Sequence, residues 1–307
     1  MRKFMVISVA ALALTGCAAM PSPKAATALA AVPAPQDVLD AAPASAWKDI
    51  PAEDIVIMTL ADGTVFTYQL APDFAPVHVA NIRQLVRSGY FDGASILRVQ
   101  DDYVVQWGRP DEDTTPAQGI EDHPPAEYEN ADKGLKAKGL VFKPLPWPDA
   151  YAAKAGFIKS WPAASDGTTD WLVHCYGMIG VARDVPPDTG SGTQLYTIIG
   201  HAPRKLDRNL TVVGRMLKGM DILADRPRGT ETLGFYKDDS QRIRIVSAKM
   251  ASDLPEATRP AFQILDSDTT TFDAWIDAKA NSTGGFLVRA PGAMDVCNGL
   301  PPVRPRP

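Results

Sequence analysis

The sequence predicts a mainly β protein: an antiparallel barrel with two helices against it, a long insertion and a C-terminal extension. Two observations carry this. Between residues 54 and 250 about eight short β-rich runs occur with only two helical ones, and the regular βαβ alternation of a parallel sheet is missing. The first two runs, "DIVIMTL" and "TVFTYQL", flank Asp62-Gly63, a dipeptide suited to a tight hairpin turn. The 307 residues are 45% apolar and 22% charged, an ordinary globular balance with room for one large or two modest domains.

"MRKF" is a short positive region, and "MVISVAALAL" has the length of a signal-peptide core. "LTGC", residues 14–17, resembles the lipobox of bacterial lipoproteins, so residues 1–16 are expected to be a lipoprotein signal peptide and Cys17 to be lipidated. The alternative is a plain secretory signal with an incidental cysteine. Ala18 stands where the inner-membrane retention signal of such lipoproteins has Asp, which points to the periplasm and the outer membrane. Residues 17–50 are rich in Ala and Pro, lack a helical stripe and read as an extended tether. No apolar run reaches the ~18 residues of a spanning helix.

In the body, "APVHVANIRQLVRSG" is helical: Pro76 suits a first turn, Val79, Ile82, Leu85 and Val86 share a face, and Gly89 suits the end. "ILRVQDDYVVQWG" reads as two short strands split by Asp101-Asp102. Residues 110–170 show little periodicity and read as an insertion. Strands resume in "WLVHCYGMIGVA" (171–182), "QLYTIIG" (194–200), "TVVGRML" (211–217) and "QRIRIVSAKM" (241–250), with "GMDILADR" a short helix. Residues 251–307 suggest a further helix and strand, and the terminal "LPPVRPRP" reads as disordered or extended. "NST" at 281–283 matches a glycosylation pattern by accident.

Arg98 and Gln106 are the anomaly, since arginine is almost never buried without a partner. One reading is a strand-end arginine whose stem packs while its head reaches water. The other comes from a resemblance. "APVHVANIRQLVRSGYFDGASILRVQDDYVVQWG", "GMIGVARD" followed by "GSGTQLYTIIG", and "LDRNLTVVGRMLKGMDIL" resemble, in order and spacing, the cyclophilin family of peptidyl-prolyl cis-trans isomerases over about residues 51–250. The resemblance implies an eight-stranded antiparallel barrel capped by two helices. It implies that Arg98 is catalytic and that Gln106 holds its guanidinium. It places Tyr103, Val104, Tyr196, Leu206 and Leu210 about the proline pocket, and Ala182, Arg183, Gln194 and Leu195 along the substrate groove. Leu97, Arg183, Lys205 and Leu210 depart from the family's usual His, Asn, Trp and His, and Leu195 and Val213 replace phenylalanines.

The chemistry needs these types. The Xaa-Pro bond rotates over a barrier of ~18–20 kcal/mol set by amide resonance. In the twisted state the prolyl nitrogen regains a lone pair, to which a fixed guanidinium donates a hydrogen bond unavailable to the planar ground state. An apolar cup holds the ring. No nucleophile, metal or cofactor is needed.

Other chemistries lack support. The net charge of −5 and the lack of a basic stripe speak against a nucleic-acid partner. His78, His123, His174 and His201 have no metal-ligand spacing, no GxSxG occurs, and "TGSGT" is not set between a strand and a helix. Cys175 and Cys297 form a disulfide or remain two buried thiols. The function expected is isomerisation of Xaa-Pro bonds in unfolded or flexible exported polypeptides. The runners-up are a non-catalytic proline-binding module or holdase, and an outer-membrane scaffold.

Overall fold

The structure, a computed structural model, describes residues 32–307, which form one unit. Cys17 and the signal segment lie outside the described residues. In chain order the elements begin with α1 (Pro35–Asp40), β1 (Trp47–Asp49), the hairpin β2 (Ile55–Leu60) and β3 (Val65–Leu70), α2 (Pro76–Arg87), β4 (Ser95–Gln100) and β5 (Val104–Gly108). The insertion holds β6 (Asn130–Ala131), α3 (Asp132–Ala137), β7 (Lys143–Pro144), β8 (Lys154–Ile158), β9 (Trp161–Ser165) and β10 (Thr169–Leu172). The body resumes with β11 (Met178–Val181), β12 (Gln194–Ile198), β13 (Val212–Lys218), α4 (Met220–Ala224) and β14 (Ile243–Met250). The extension adds β15 (Phe262–Leu265), α5 (Thr270–Asn281) and β16 (Val303–Pro305).

Strands β11-β12-β5-β4-β14-β2-β3-β13 close into an antiparallel barrel, with β13 pairing back to β11. Asp62-Gly63 turns the hairpin, with Gly63 at φ +85 where a side chain would be strained. Alternation along the strands sends Phe66, Tyr68, Val99, Val105, Trp107, Leu195 and Val213 into the barrel core, where Phe66 and Trp107 meet edge to face at 5.5 Å. Val79, Ile82, Leu85 and Val86 of α2 and Leu223 of α4 pack onto the same core, so the helical face read from spacing is the buried one.

The regions outside the barrel are more ordered than their composition suggests. Residues 35–49, expected as tether, form α1 and β1; β1 pairs with β15 in the register Trp47↔Leu265, and Val38 and Leu39 pack on a second core. The insertion is a five-stranded sheet, β6-β10-β9-β8-β7, whose Phe157, Trp161 and Trp171 build that second core with Phe272 and Trp275 of α5. Its strands escape a periodic reading because β9 is buried along its whole length and is made largely of Ala, Pro and Ser. The run 171–182 is not one strand: residues 173–177 turn between β10 and β11. The terminal "LPPVRPRP" is no trailing tail, since Val303–Pro305 pairs with β15. Cys175 and Cys297 are disulfide-bonded with Cα atoms 5.1 Å apart, fastening the extension beside the barrel.

Candidate active site on the outer barrel wall

The site is a row of cross-strand neighbours. Arg98 on β4 faces Gln106 on β5, Gln106 faces Tyr196 on β12, and Tyr196 faces Gly180 on β11. A bulge at Leu97 shifts the β4 register just before Arg98. All four residues point away from the barrel core, while Val99, Val105 and Leu195 point into it.

Three acceptors fix Arg98. Its Nη1 donates to Gln106 Oε1 at 3.2 Å, its Nε to the Leu233 carbonyl at 2.5 Å, and its Nη2 to Gln100 Oε1. The guanidinium lies 5.5 Å from the Tyr103 ring centre and 5.4 Å from that of Phe235. Burial lowers the Arg98 pKa from its usual value, opposed by the charge interaction with Tyr103. Gln106 is fixed in turn: its Nε2 donates to Gln194 Oε1 at 2.8 Å, and Gln194 Nε2 donates to the Arg109 carbonyl at 2.8 Å. This chain of donors orients both amides, so Gln106 must offer its oxygen to Arg98.

Beside the arginine, Val104, Tyr196 and Ile198 form an apolar cluster apart from the barrel core, with Tyr103, Ala182 and Leu210 against it. Arg98, Tyr103, Val104, Gln106, Ala182, Arg183, Gln194 and Tyr196 line one cavity of 570 Å³. Arg183 reaches across its edge, donating from Nε and Nη2 to the Asn209 carbonyl at 3.3 and 3.0 Å.

Two expected residues fall elsewhere. Leu195 is 0% exposed inside the barrel, because the strand alternation that brings Tyr196 outward turns its neighbour inward. Leu206 closes a short 3-10 turn (Arg204–Leu206) and does not line the cavity; Leu210, one turn on, joins the cluster.

Residues the sequence did not single out complete the site. Gln100, Leu233 and Phe235 cradle Arg98, and Phe235 bridges to Arg98 as an extra strand residue. Tyr196 rests on a buried relay: its hydroxyl lies 3.0 Å from His174 Nε2, and His174 Nδ1 lies 3.0 Å from Asp207 Oδ1. Arg204 Nε donates to Asp207 Oδ2 at 2.6 Å and its Nη atoms to Asp149 of the insertion at 2.9 and 3.1 Å. With His174 Nδ1–H turned to a carboxylate, Nε2 is left to accept from Tyr196. Burial pushes the Tyr196 pKa well above the ordinary phenol value, so the hydroxyl is a neutral donor. Gly180 makes room for it: a Cβ there would stand 2.2 Å from the Tyr196 oxygen. The linear sequence carries no signal for this relay, whose Tyr196 and Asp207 lie 22 and 33 residues from His174.

The outer wall of the eight-stranded barrel thus carries a clamped cation beside an apolar cup. Residues 55–250 match the family model "Cyclophilin type peptidyl-prolyl cis-trans isomerase/CLD", and the chain belongs to that family. A probable peptidyl-prolyl cis-trans isomerase of Brucella suis is 29% identical over 181 residues, 58% of this chain and 74% of its own length, and one of Brucella melitensis matches equally. Among solved structures, the cyclophilin AquaCyp293 from Hirschia baltica superposes with a TM-score of 0.61 at 26% identity, covering 80% of this chain and 92% of that one. The chain is a peptidyl-prolyl cis-trans isomerase of cyclophilin type.

Proposed function

We propose that Arg98 is the catalytic group, that Gln106 positions it, and that Val104, Tyr196, Tyr103, Ala182 and Leu210 receive the prolyl ring. We also propose that the enzyme serves exported proteins, tethered by lipid on Cys17 in the periplasm, at the outer membrane. The observation that carries the catalytic assignment is the fixed chain Arg98–Gln106–Gln194 beside the apolar cluster. Three of the five guanidinium N–H bonds are committed to Leu233, Gln106 and Gln100, so two remain for substrate. As the Xaa-Pro bond twists, the prolyl nitrogen becomes pyramidal and accepts one of them. The clamp has already restricted the arginine's rotamers, so little reorganisation is left at the transition state.

Arg98→Ala should lower kcat/KM for an Ala-Pro-Phe peptide by about 2–4 kcal/mol, tens- to a thousand-fold, with circular dichroism unchanged. Arg98→Lys should fail substantially too, because an ammonium lacks the planar fork that Gln100, Gln106 and Leu233 hold. Full activity in a folded Arg98→Ala protein would remove the assignment. The anchor rests on "LTGC". Mass spectrometry of membrane-extracted protein should find a diacylated N-terminal Cys17, and an unmodified Cys17 ends that part of the proposal.

A further inference from the structure

A second charged site lies outside the isomerase groove. Arg215 on β13 points away from the barrel core, toward the insertion sheet, and is 7% exposed. Its Nε donates to Gln69 Oε1 at 2.9 Å, its Nη1 to the Ser160 carbonyl at 2.6 Å, and its guanidinium stacks on the Trp161 ring with the centroid 3.9 Å away. All three partners are neutral. Among the described residues no carboxylate lies within salt-bridge reach of it, and its Nη2 meets no acceptor. Among the described residues the other deeply buried arginine, Arg204, is paired with both Asp149 and Asp207. A buried cation left without a counter-charge carries a desolvation cost that neutral acceptors offset only in part. Burial accordingly pulls the Arg215 pKa down to about 9.

Arg215 also lines a cavity of 210 Å³ where barrel, insertion and C-terminal extension meet. The remaining walls are apolar for the most part: Pro162, Met178, Met216, Met220, Leu300 and Pro301 among them. Junctions between packed bodies are where small-molecule sites concentrate, and methionine walls adapt to ligand shape.

We propose that this cavity binds a short aliphatic monocarboxylate, its carboxylate on Arg215 and its chain among Met178, Met216 and Met220. The charge calls for an anion, the walls call for an alkyl chain, and the volume limits the ligand to a few carbons. The site is independent of Xaa-Pro isomerisation.

The test uses the oxidised full-length chain carrying ¹³C-methyl methionine, with hexanoate as the probe and hexanamide as its uncharged match. Hexanoate should shift the Met178, Met216 and Met220 methyl resonances saturably and raise Tm, and hexanamide should bind at least tenfold more weakly. Arg215→Met, checked for folding by circular dichroism, should abolish the preference for hexanoate. If that variant does not fold, the two ligands on the unaltered chain decide. No saturable shift at these methyls, equal binding of hexanoate and hexanamide, or undiminished hexanoate affinity in folded Arg215→Met each overturns the proposal. Because the readout is at the methionines, hexanoate that settles on Arg98 instead counts against it.

Discussion

The Tyr196 hydroxyl is received by a buried relay of His174 and Asp207. Tyr196→Phe keeps the ring but leaves His174 Nε2 without its donor in a buried place, which should cost about 1–3 kcal/mol. Thermal unfolding should fall by several degrees, and KM should rise more than kcat falls, since the ring loosens while Arg98 stays clamped. Unchanged Tm and KM would show that the hydroxyl holds nothing. Gly180→Ala should be worse for binding, because its Cβ displaces the tyrosine. The Arg98–Gln106 pair was legible in the sequence because two polar side chains in an apolar run stood out and the family resemblance set them together. His174, Asp207 and Asp149 were not, because only the folded chain makes them neighbours. Leu195 was misplaced for a simpler reason: adjacent strand residues face opposite sides, so it and Tyr196 could not both line the pocket.

At the scale of elements, α2 shows how the insertion serves the barrel. The residue before the helix, Ala75, has no side chain to cap it. Glu127 of the insertion takes the role, its two oxygens accepting from the Val77 and His78 backbone N–H groups at 3.0 and 3.1 Å and from the His78 ring at 2.6 Å. Burial alone would raise the Glu127 pKa, but the His78 ring and the two N–H groups more than offset it and hold it below the ordinary carboxylate value. Glu127 thus adds stability that is present above its unfolded value and is lost as the pH falls through the lowered folded value. Glu127→Ala should cost about 1 kcal/mol at pH 7, the worth of a helix cap, and the gap to the unaltered chain should narrow in denaturant titrations as the pH falls through and below the ordinary carboxylate range. A constant gap across that range would show that its charge is irrelevant. The hairpin, α2 and the barrel strands were legible because each has a clear period or turn. The insertion strands were not: β8 and β9 carry Ala, Gly and Pro and are buried on both faces, which erases the alternation that marks a half-buried strand.

Over the whole molecule, two ties stand out among the contacts that join the extension to the rest. One is β1 on β15, which ties residues 47–49 to 263–265. The other is the disulfide, which spans 122 residues and starts at Cys175, next to His174 of the relay. Removing it through Cys175→Ser with Cys297→Ser should lower stability by about 2–5 kcal/mol. It should also raise KM for proline peptides, since the backbone that carries His174 loses its fastening. An unaltered KM in the double mutant would separate the clasp from the pocket. The order in which a chain is made gives this clasp a further meaning. Every barrel strand precedes residue 251, so the barrel can close before Phe262, Trp275 and Cys297 have left the ribosome or crossed a membrane. Until they arrive, Trp47 has no β15 partner and Cys175 has no bonding partner. The segment that carries His174 is therefore fastened last, by the tail, and a chain cut short after its barrel would hold every residue that lines the cavity without that fastening.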